Sequence, residues 1–247
     1  DPTVVPPWGN ANLGTNDYLN VCATAWEVDV PPNYFGWENA HSGSGYCGFF
    51  TWLPNTEYRE YLLVPLISPL VAGQHYSFSA YFSVADFYCP SNHLGAYFSV
   101  NSPAITTNDA IPVDPQVEYI PEYLNDTSGW TLMTGCFQAD GGEIYLTIGN
   151  FYNDSQTWAD PDCQLDPIFG AYYYIDDVVV EAIDPPDPLD LELGGPYSAC
   201  YEYLIAPGIP DVDYTWSDGS HGNTLLVTET GTYSLTITDG CRQGTDD

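Results

Sequence analysis

From His75 the chain reads HYSFSAYFSVAD, with apolar side chains at every second position. Tyr76, Phe78, Ala80, Phe82 and Val84 fall on one face, with Ser77, Ser79, Tyr81 and Ser83 on the other. A period of two marks a strand with one face buried and one face wet. LGAYFSV repeats it through Leu94, Ala96, Phe98 and Val100, and EIYLTIGNF through Ile144, Leu146 and Ile148. Helix signals are almost absent. Half-buried strands of this kind are stable only when two sheets share one core. The expected fold class is therefore all-β, with enough strands up to about residue 183 for a jelly-roll sandwich.

The run IDPPDPLD, residues 183–190, is too rich in proline to continue a sheet interior. It reads as a linker, residues 184–188, between a domain at 1–183 and a second at 189–247. After it YEYLIAPG, VDYTWSDGS, NTLLVTETG and TYSLTITDGC form short strands separated by Gly, Asp and Ser turns. That spacing suggests a small immunoglobulin-like sandwich with Trp216 at its centre and Gly231 at a turn.

Charge narrows the partners. Thirty-four acidic residues stand against two basic ones, Arg59 and Arg242, for a formal net charge of −32. Nucleic acid and anionic membrane surfaces both require Lys and Arg, so both are excluded as partners. The acids serve either as a solvated surface or, for some of them, as oxygen ligands for hard cations. The most apolar run, YLLVPLISPLVAG, is interrupted by Pro65 and Pro69 and is shorter than the ~20 residues of a membrane span. A start at Asp1 without a signal peptide fits a processed, exported chain.

Seven cysteines occur without a C-x-x-C pair or zinc spacing, which favours disulfides in an oxidising compartment. Cys200 and Cys241 bracket the C-terminal segment. Cys22 and Cys47 share an early loop-rich region, and Cys89 and Cys163 sit in long irregular connections. Those six are expected in disulfides, with Cys136 left as a free, buried strand residue.

The segments DYLNVCA, PPNYFGWENAHSGSGYCGFF, EYREYLLVPLISPLVAGQHYSFSAYFSVAD, LGAYFS, LNDTSGWTLMTGCFQADGGEIYLTIGNF and AYYYIDDVVV together resemble the exported jelly-roll domain of gliding-type bacterial cell-surface proteins. The tail YTWSDGSHGNTLLVTETGTYSLTITDGC is similar to the immunoglobulin-like repeats of gliding adhesins and other type IX secretion substrates. The resemblance implies a galactose-binding-like jelly roll, similar in fold to carbohydrate-binding modules, on the outer surface of a Gram-negative bacterium. Against that pattern the chain starts downstream of the usual first strand and stops at CRQGTDD, so both domains are expected to lack an edge strand. A neighbouring subunit would then supply the missing pairing.

In AYYYIDDVVVEA, residues 171–182, strict alternation puts Tyr174 and Asp176 on the same face as Val178 and Val180. An inward carboxylate needs compensation. The resemblance implies a structural Ca²⁺ held by Asp176, and the residues equally allow backbone amides or a Tyr hydroxyl as its partners. Asp160, Asp162 and Asp166 form a second acidic group without the spacing of a calcium loop.

Catalytic motifs are missing: there is no G-x-S-x-G, no H-E-x-x-H and no lysine. The best-placed aromatics for a glycan ligand are Trp37, Trp52 and Trp158. Asn125-Asp-Thr127 and Asn153-Asp-Ser155 are glycosylation sequons, and Ser/Thr-rich loops permit O-linked glycans. The expected function is a non-enzymatic, secreted or cell-surface structural or adhesive protein. Its fullest form is the subunit of an extracellular filament or tube, a homo-oligomer or polymer joined by strand complementation. The alternative is a carbohydrate-binding module of a larger secreted protein.

Overall fold

The structure is a computed structural model that describes residues 7–119, 123–166, 169–198, 201–210, 212–239 and 241–247. It divides into two compact units, Asp1–Ala182 and Ile183–Asp247. In chain order the strands of the first unit are β1 (Gly9–Asn10), β2 (Asp17–Asn20), β3 (Pro32–Asn33), β4 (Gly36–Trp37), β5 (Gly45–Trp52), β6 (Leu62–Pro65), β7 (His75–Val84), β8 (Gly95–Ser99), β9 (Val117–Glu118), β10 (Thr131–Gln138), β11 (Tyr145–Gly149) and β12 (Ala171–Ile183). Two five-stranded sheets, ordered β1-β6-β11-β8-β9 and β10-β7-β12-β5-β2, make the jelly-roll sandwich.

The alternation read from the sequence builds the shared core. Tyr76, Phe78, Ala80, Phe82 and Val84 of β7 meet Leu94, Ala96 and Phe98, together with Leu146 and Ile148 of β11, in one buried cluster. Burying such side chains contributes about 1.5–3 kcal/mol each. Val100 lies just past β8 and is exposed.

β12 departs from strict alternation. Ala171, Tyr173 and Ile175 belong to the core, and so do Val178 and Val180, three residues on from Ile175 instead of two. The phase changes across Asp176 and Asp177, where Asp177 takes a φ of 50°. One extra residue accommodated this way is a β-bulge. Tyr174 therefore does not share a face with Val178 and Val180. It points with Tyr172 into a second cluster on the outside of the sheet, among Leu19, Val30, Phe35, Tyr46 and Ala85. A further irregularity in β5 pairs Tyr172 with Phe50 and Ala171 with Trp52, skipping Thr51.

The second unit holds β13 (Tyr203–Ile205), β14 (Asp213–Trp216), β15 (Leu225–Val227), β16 (Leu235–Thr238) and β17 (Gln243–Asp246). β13 pairs with β15, and β14-β16-β17 form the other sheet. Trp216 is buried at the centre with Leu191, Tyr214, Leu225, Leu235 and Ile237, and its Nε1 donates to the Gly222 carbonyl at 2.8 Å. The expectation of a missing last strand is overturned here. Residues 243–246 supply it, pairing with β16 in register from Gln243↔Thr238 to Asp246↔Leu235.

Candidate functional site

The outward tyrosines of β12 require a cover, because a phenol ring left on a wet sheet face forgoes its hydrophobic contribution. Residues 26–40 provide it: a 3-10 turn at Trp26–Val28 and the β3–β4 hairpin. Phe35 stacks on Tyr172 with centroids 3.8 Å apart and planes 9° from parallel. Tyr174 Oη donates to Asn33 Oδ1 at 2.8 Å, and the same oxygen accepts from the N–H groups of Phe35 and Gly36. Tyr46 Oη donates to the Glu38 carbonyl, and Ser83 Oγ donates to the buried Glu38 carboxylate at 2.7 Å. A Cβ on Gly36 would come within 2.5 Å of Asp86 Oδ2, so only glycine allows the hairpin to sit against residue 86.

Carboxylates inside this layer are hard to ionise. Burial pushes the Asp17 carboxyl up to about 6, partly opposed by a 2.7 Å hydrogen bond from Tyr172 Oη and reinforced by the nearby Glu60 charge. Burial raises Glu38 as well, against the Ser83 and Asn39 donors.

The outer surface of the cover carries large exposed aromatics. Trp37 is 61% exposed, with Trp26, Tyr34 and Phe87 comparably open. Trp26 and Tyr34 lie 6.0 Å apart by centroid, and the Trp37 N–H donates to Asp86, next to Phe87. Of the three tryptophans expected to meet a glycan, Trp37 is exposed on the β3–β4 hairpin, with the Asp86 carboxylate accepting from its backbone N–H. Trp26, Tyr34 and Phe87 were not singled out, because nothing in their spacing distinguishes a residue on a cover from one in a core.

Trp52 is a correction. It is buried in the sandwich core, and its Nε1 donates to Asp154 Oδ1 at 3.0 Å, so no ligand can reach its face. The β5 irregularity turns it inward. Trp158 is 47% exposed on the loop after β11. That loop is fastened by Arg59, whose fully buried guanidinium donates to Asp154 Oδ1 at 3.0 Å, to the Tyr152 carbonyl at 2.8 Å and to Thr157 Oγ1 at 3.2 Å. Beside Trp158, His93 stacks on Tyr152 at 3.9 Å and its Nδ1 is hydrogen-bonded to Glu118, which also accepts from Tyr152 Oη at 3.0 Å. His41 repeats the motif, stacked on Tyr81 at 3.6 Å with Nδ1 2.7 Å from Asp177 Oδ2.

Asp176 lies half-buried at the bulge. Its Oδ2 accepts from Ser42 N at 3.1 Å and its Oδ1 from Asp177 N at 2.8 Å. Burial raises its pKa against those amides. Asp177 takes the His41 ring and Ser42 Oγ, which hold its carboxyl below the ordinary value. These oxygens face N–H and O–H donors, and among the described residues no group of three or more His, Cys, Asp or Glu side chains could hold a metal. Asp160 turns inward on its own loop, accepting from Asp162 N at 2.8 Å.

Cys89 and Cys163 form a disulfide across 74 residues, the bond of an extracellular or cell-surface protein. Cys22 and Cys47 do not pair: both are free. Across β2 and β5 it is Tyr18 that stands opposite Cys47. Cys22 lies past the end of β2, in the turn where Ala23 N donates to the Asn20 carbonyl, and is exposed. Burial pushes the Cys47 thiol up to about 12. Cys136, expected free and buried, is half-buried and disulfide-bonded, as is Cys241, while Cys200 lies outside the described residues. Asn125 and Asn153 are both exposed, and Asn153 Oδ1 accepts from Ser155 N and Oγ of its own sequon. Among the described residues no helix is long and apolar enough to cross a membrane.

No family model matches the chain, and no curated protein matches it. Among solved structures it is similar to the K1 cleaved adhesin domain of Lys-gingipain from Porphyromonas gingivalis W83. The identity is 13% over 73% of this chain and 94% of that one, with a TM-score of 0.40. It is also similar to the CBM22-1 xylan-binding domain of Paenibacillus barcinonensis Xyn10C, at 12% identity over 71% and 85%, TM-score 0.39. The K3 cleaved adhesin domain of the same gingipain matches at 15% identity over 67% and 90%, TM-score 0.37. At these values the likeness is one of sandwich layout alone.

Proposed function

We propose that this chain is a non-enzymatic adhesive protein of the bacterial cell surface whose first domain binds carbohydrate across the Trp37 platform. The observation that carries the reading is the group of exposed aromatics, Trp26, Tyr34 and Trp37, held on a cover whose underside is stacked and hydrogen-bonded to Tyr172 and Tyr174, with Phe87 exposed next to Asp86, which accepts from the Trp37 N–H. A rigid aromatic surface offers sugar rings apolar contact at low entropic cost. A net charge of −32 disfavours anionic glycans, so the ligand is a neutral polysaccharide. Placement on a Gram-negative outer surface by type IX secretion is the finer form of this reading, supported by the resemblance of the two domains, and glycosylation at Asn125 and Asn153 belongs with it. The filament form no longer draws on an unpaired β16 edge in the second domain, since β17 pairs there, and it rests on the first domain's start, the disulfides and the adhesin-type modules.

Affinity electrophoresis through gels containing xylan, mixed-linkage β-glucan or galactomannan tests the reading. At least one polysaccharide should retard the protein, and Trp37→Ala should weaken the retardation. Equal mobility in all gels, or retardation indifferent to Trp37→Ala, would overturn it.

A further inference from the structure

A second surface has a different construction. His93 holds φ at 64°, in the left-handed region where a non-glycine residue is strained and persists only when its surroundings fix it. The surroundings do so on two sides. Asn92, buried, accepts from Trp158 N at 3.0 Å through Oδ1 and donates to the Gln156 carbonyl at 3.2 Å through Nδ2. On the other side the His93 ring lies on Tyr152 and is tied to Glu118. Trp158 meets the His93 ring edge-on, with centroids 6.3 Å apart and planes at 72°. Arg59, the cation buried beneath, fastens the loop from Tyr152 to Thr157 that carries this wall.

We infer that Trp158, His93, Glu118 and Tyr152 form a second saccharide site, which takes a sugar ring of a neutral glycan and is separate from the Trp37 surface. Trp158 supplies the exposed aromatic face. His93 supplies a polar edge: Nδ1 is engaged by Glu118, and Nε2 is the ring nitrogen offered to a sugar hydroxyl. Glu118 is fixed by two donors and retains lone pairs for a sugar hydroxyl. One imidazole and one carboxylate are too few for a metal, and no such group of three exists among the described residues. Glu118 and Asp114, which both act on Tyr152, set a negative field that excludes uronic and sulfated sugars. Two sites on one domain would let it cross-link glycans or hold one chain with avidity. The inference does not depend on the Trp37 reading.

Saturation-transfer NMR on the full chain with the methyl glycosides of glucose, galactose, mannose and xylose tests it. At least one glycoside should receive saturation from the wild type and from Trp37→Ala. Trp158→Ala should weaken that binding by about tenfold or more, as for an interface anchor. His93→Asn, which tolerates the left-handed backbone, should weaken it with near-UV circular dichroism unchanged. Transfer from none of the four glycosides, or transfer unaltered by Trp158→Ala and His93→Asn, would overturn the site. Because Trp37→Ala governs polysaccharide retention and not this signal, either site can fail while the other stands.

Discussion

Replacing Asp154 by alanine leaves a guanidinium buried without its counter-charge. Arg59 is fully buried and its Nε has no hydrogen-bond partner among the described residues, so the group already depends on its remaining donors: to Asp154, to the Tyr58 and Tyr152 carbonyls and to Thr157 Oγ1. Removing one partner of a buried pair costs about 3–5 kcal/mol. The Asp154 side chain is 18% exposed, so water reaches the gap and the lower end, about 3 kcal/mol, is expected. Arg59→Met should cost less, about 2 kcal/mol, because Asp154 would still accept from Trp52 Nε1 and from the N–H groups of Thr56 and Glu57. The double variant should cost at least about 1 kcal/mol less than the sum, the mark of direct coupling. Urea unfolding followed by fluorescence reads the first unit, since every tryptophan but Trp216 lies in it. A loss below about 1 kcal/mol for Asp154→Ala, or additive losses, would refute the reasoning.

Other outcomes follow from the same geometry. Asp17 is raised from 3.8 to about 6 in the fold, so the folded state binds its proton more tightly than the unfolded state does. Its cost is fully present above about pH 6 and gone below 3.8, so stability should rise on acidification through that window by on the order of 2 kcal/mol. Asp17→Asn should flatten that rise, and a pH profile of Tm unchanged by the substitution would contradict it. Asp154 has the opposite sign: burial works to raise it, yet the Glu57 amide and Arg59 outweigh burial and hold it low, so its contribution fades as pH falls below the ordinary carboxylate range. Iodoacetamide under native conditions should label Cys22 quickly and Cys47 only after unfolding, and mass spectrometry finding both or neither modified would be inconsistent with the burial described. Chelation by EDTA should leave Tm unchanged, whereas a fall restored by Ca²⁺ would reinstate a cation beside Asp176.

Much of the sandwich was legible because period-two alternation is a local property, and β7, β8 and β11 bury the side chains that alternation selects. The limits appear where one residue changes phase. Asp176 reads as a core carboxylate only if β12 alternates without interruption, and neither the bulge at Asp177 nor the skip at Thr51 that buries Trp52 leaves a mark in composition. The exposed aromatics were legible at Trp37 alone: Trp26 and Tyr34 share its segment, but nothing local tells an outward ring from a core one, and Phe87 is brought near only by the fold. His93 carries no local signal in the sequence, because its partners Glu118, Tyr152 and Trp158 lie 25 to 65 positions away. The pairing of Cys22 with Cys47 failed on register, which nearness in sequence does not reveal.

Asp177 can be viewed as the surplus residue of β12. A chain lacking it would run from Asp176 straight to Val178 and keep the same valines on the inside, so the sandwich has no use for it. Its carboxylate instead reaches outward to the His41 ring and Ser42 Oγ, at the point where the chain leaves the cover and enters β5. The insertion is thus a latch carried on the central strand: deleting Asp177 should spare the core and free the trailing end of the segment that presents Trp37.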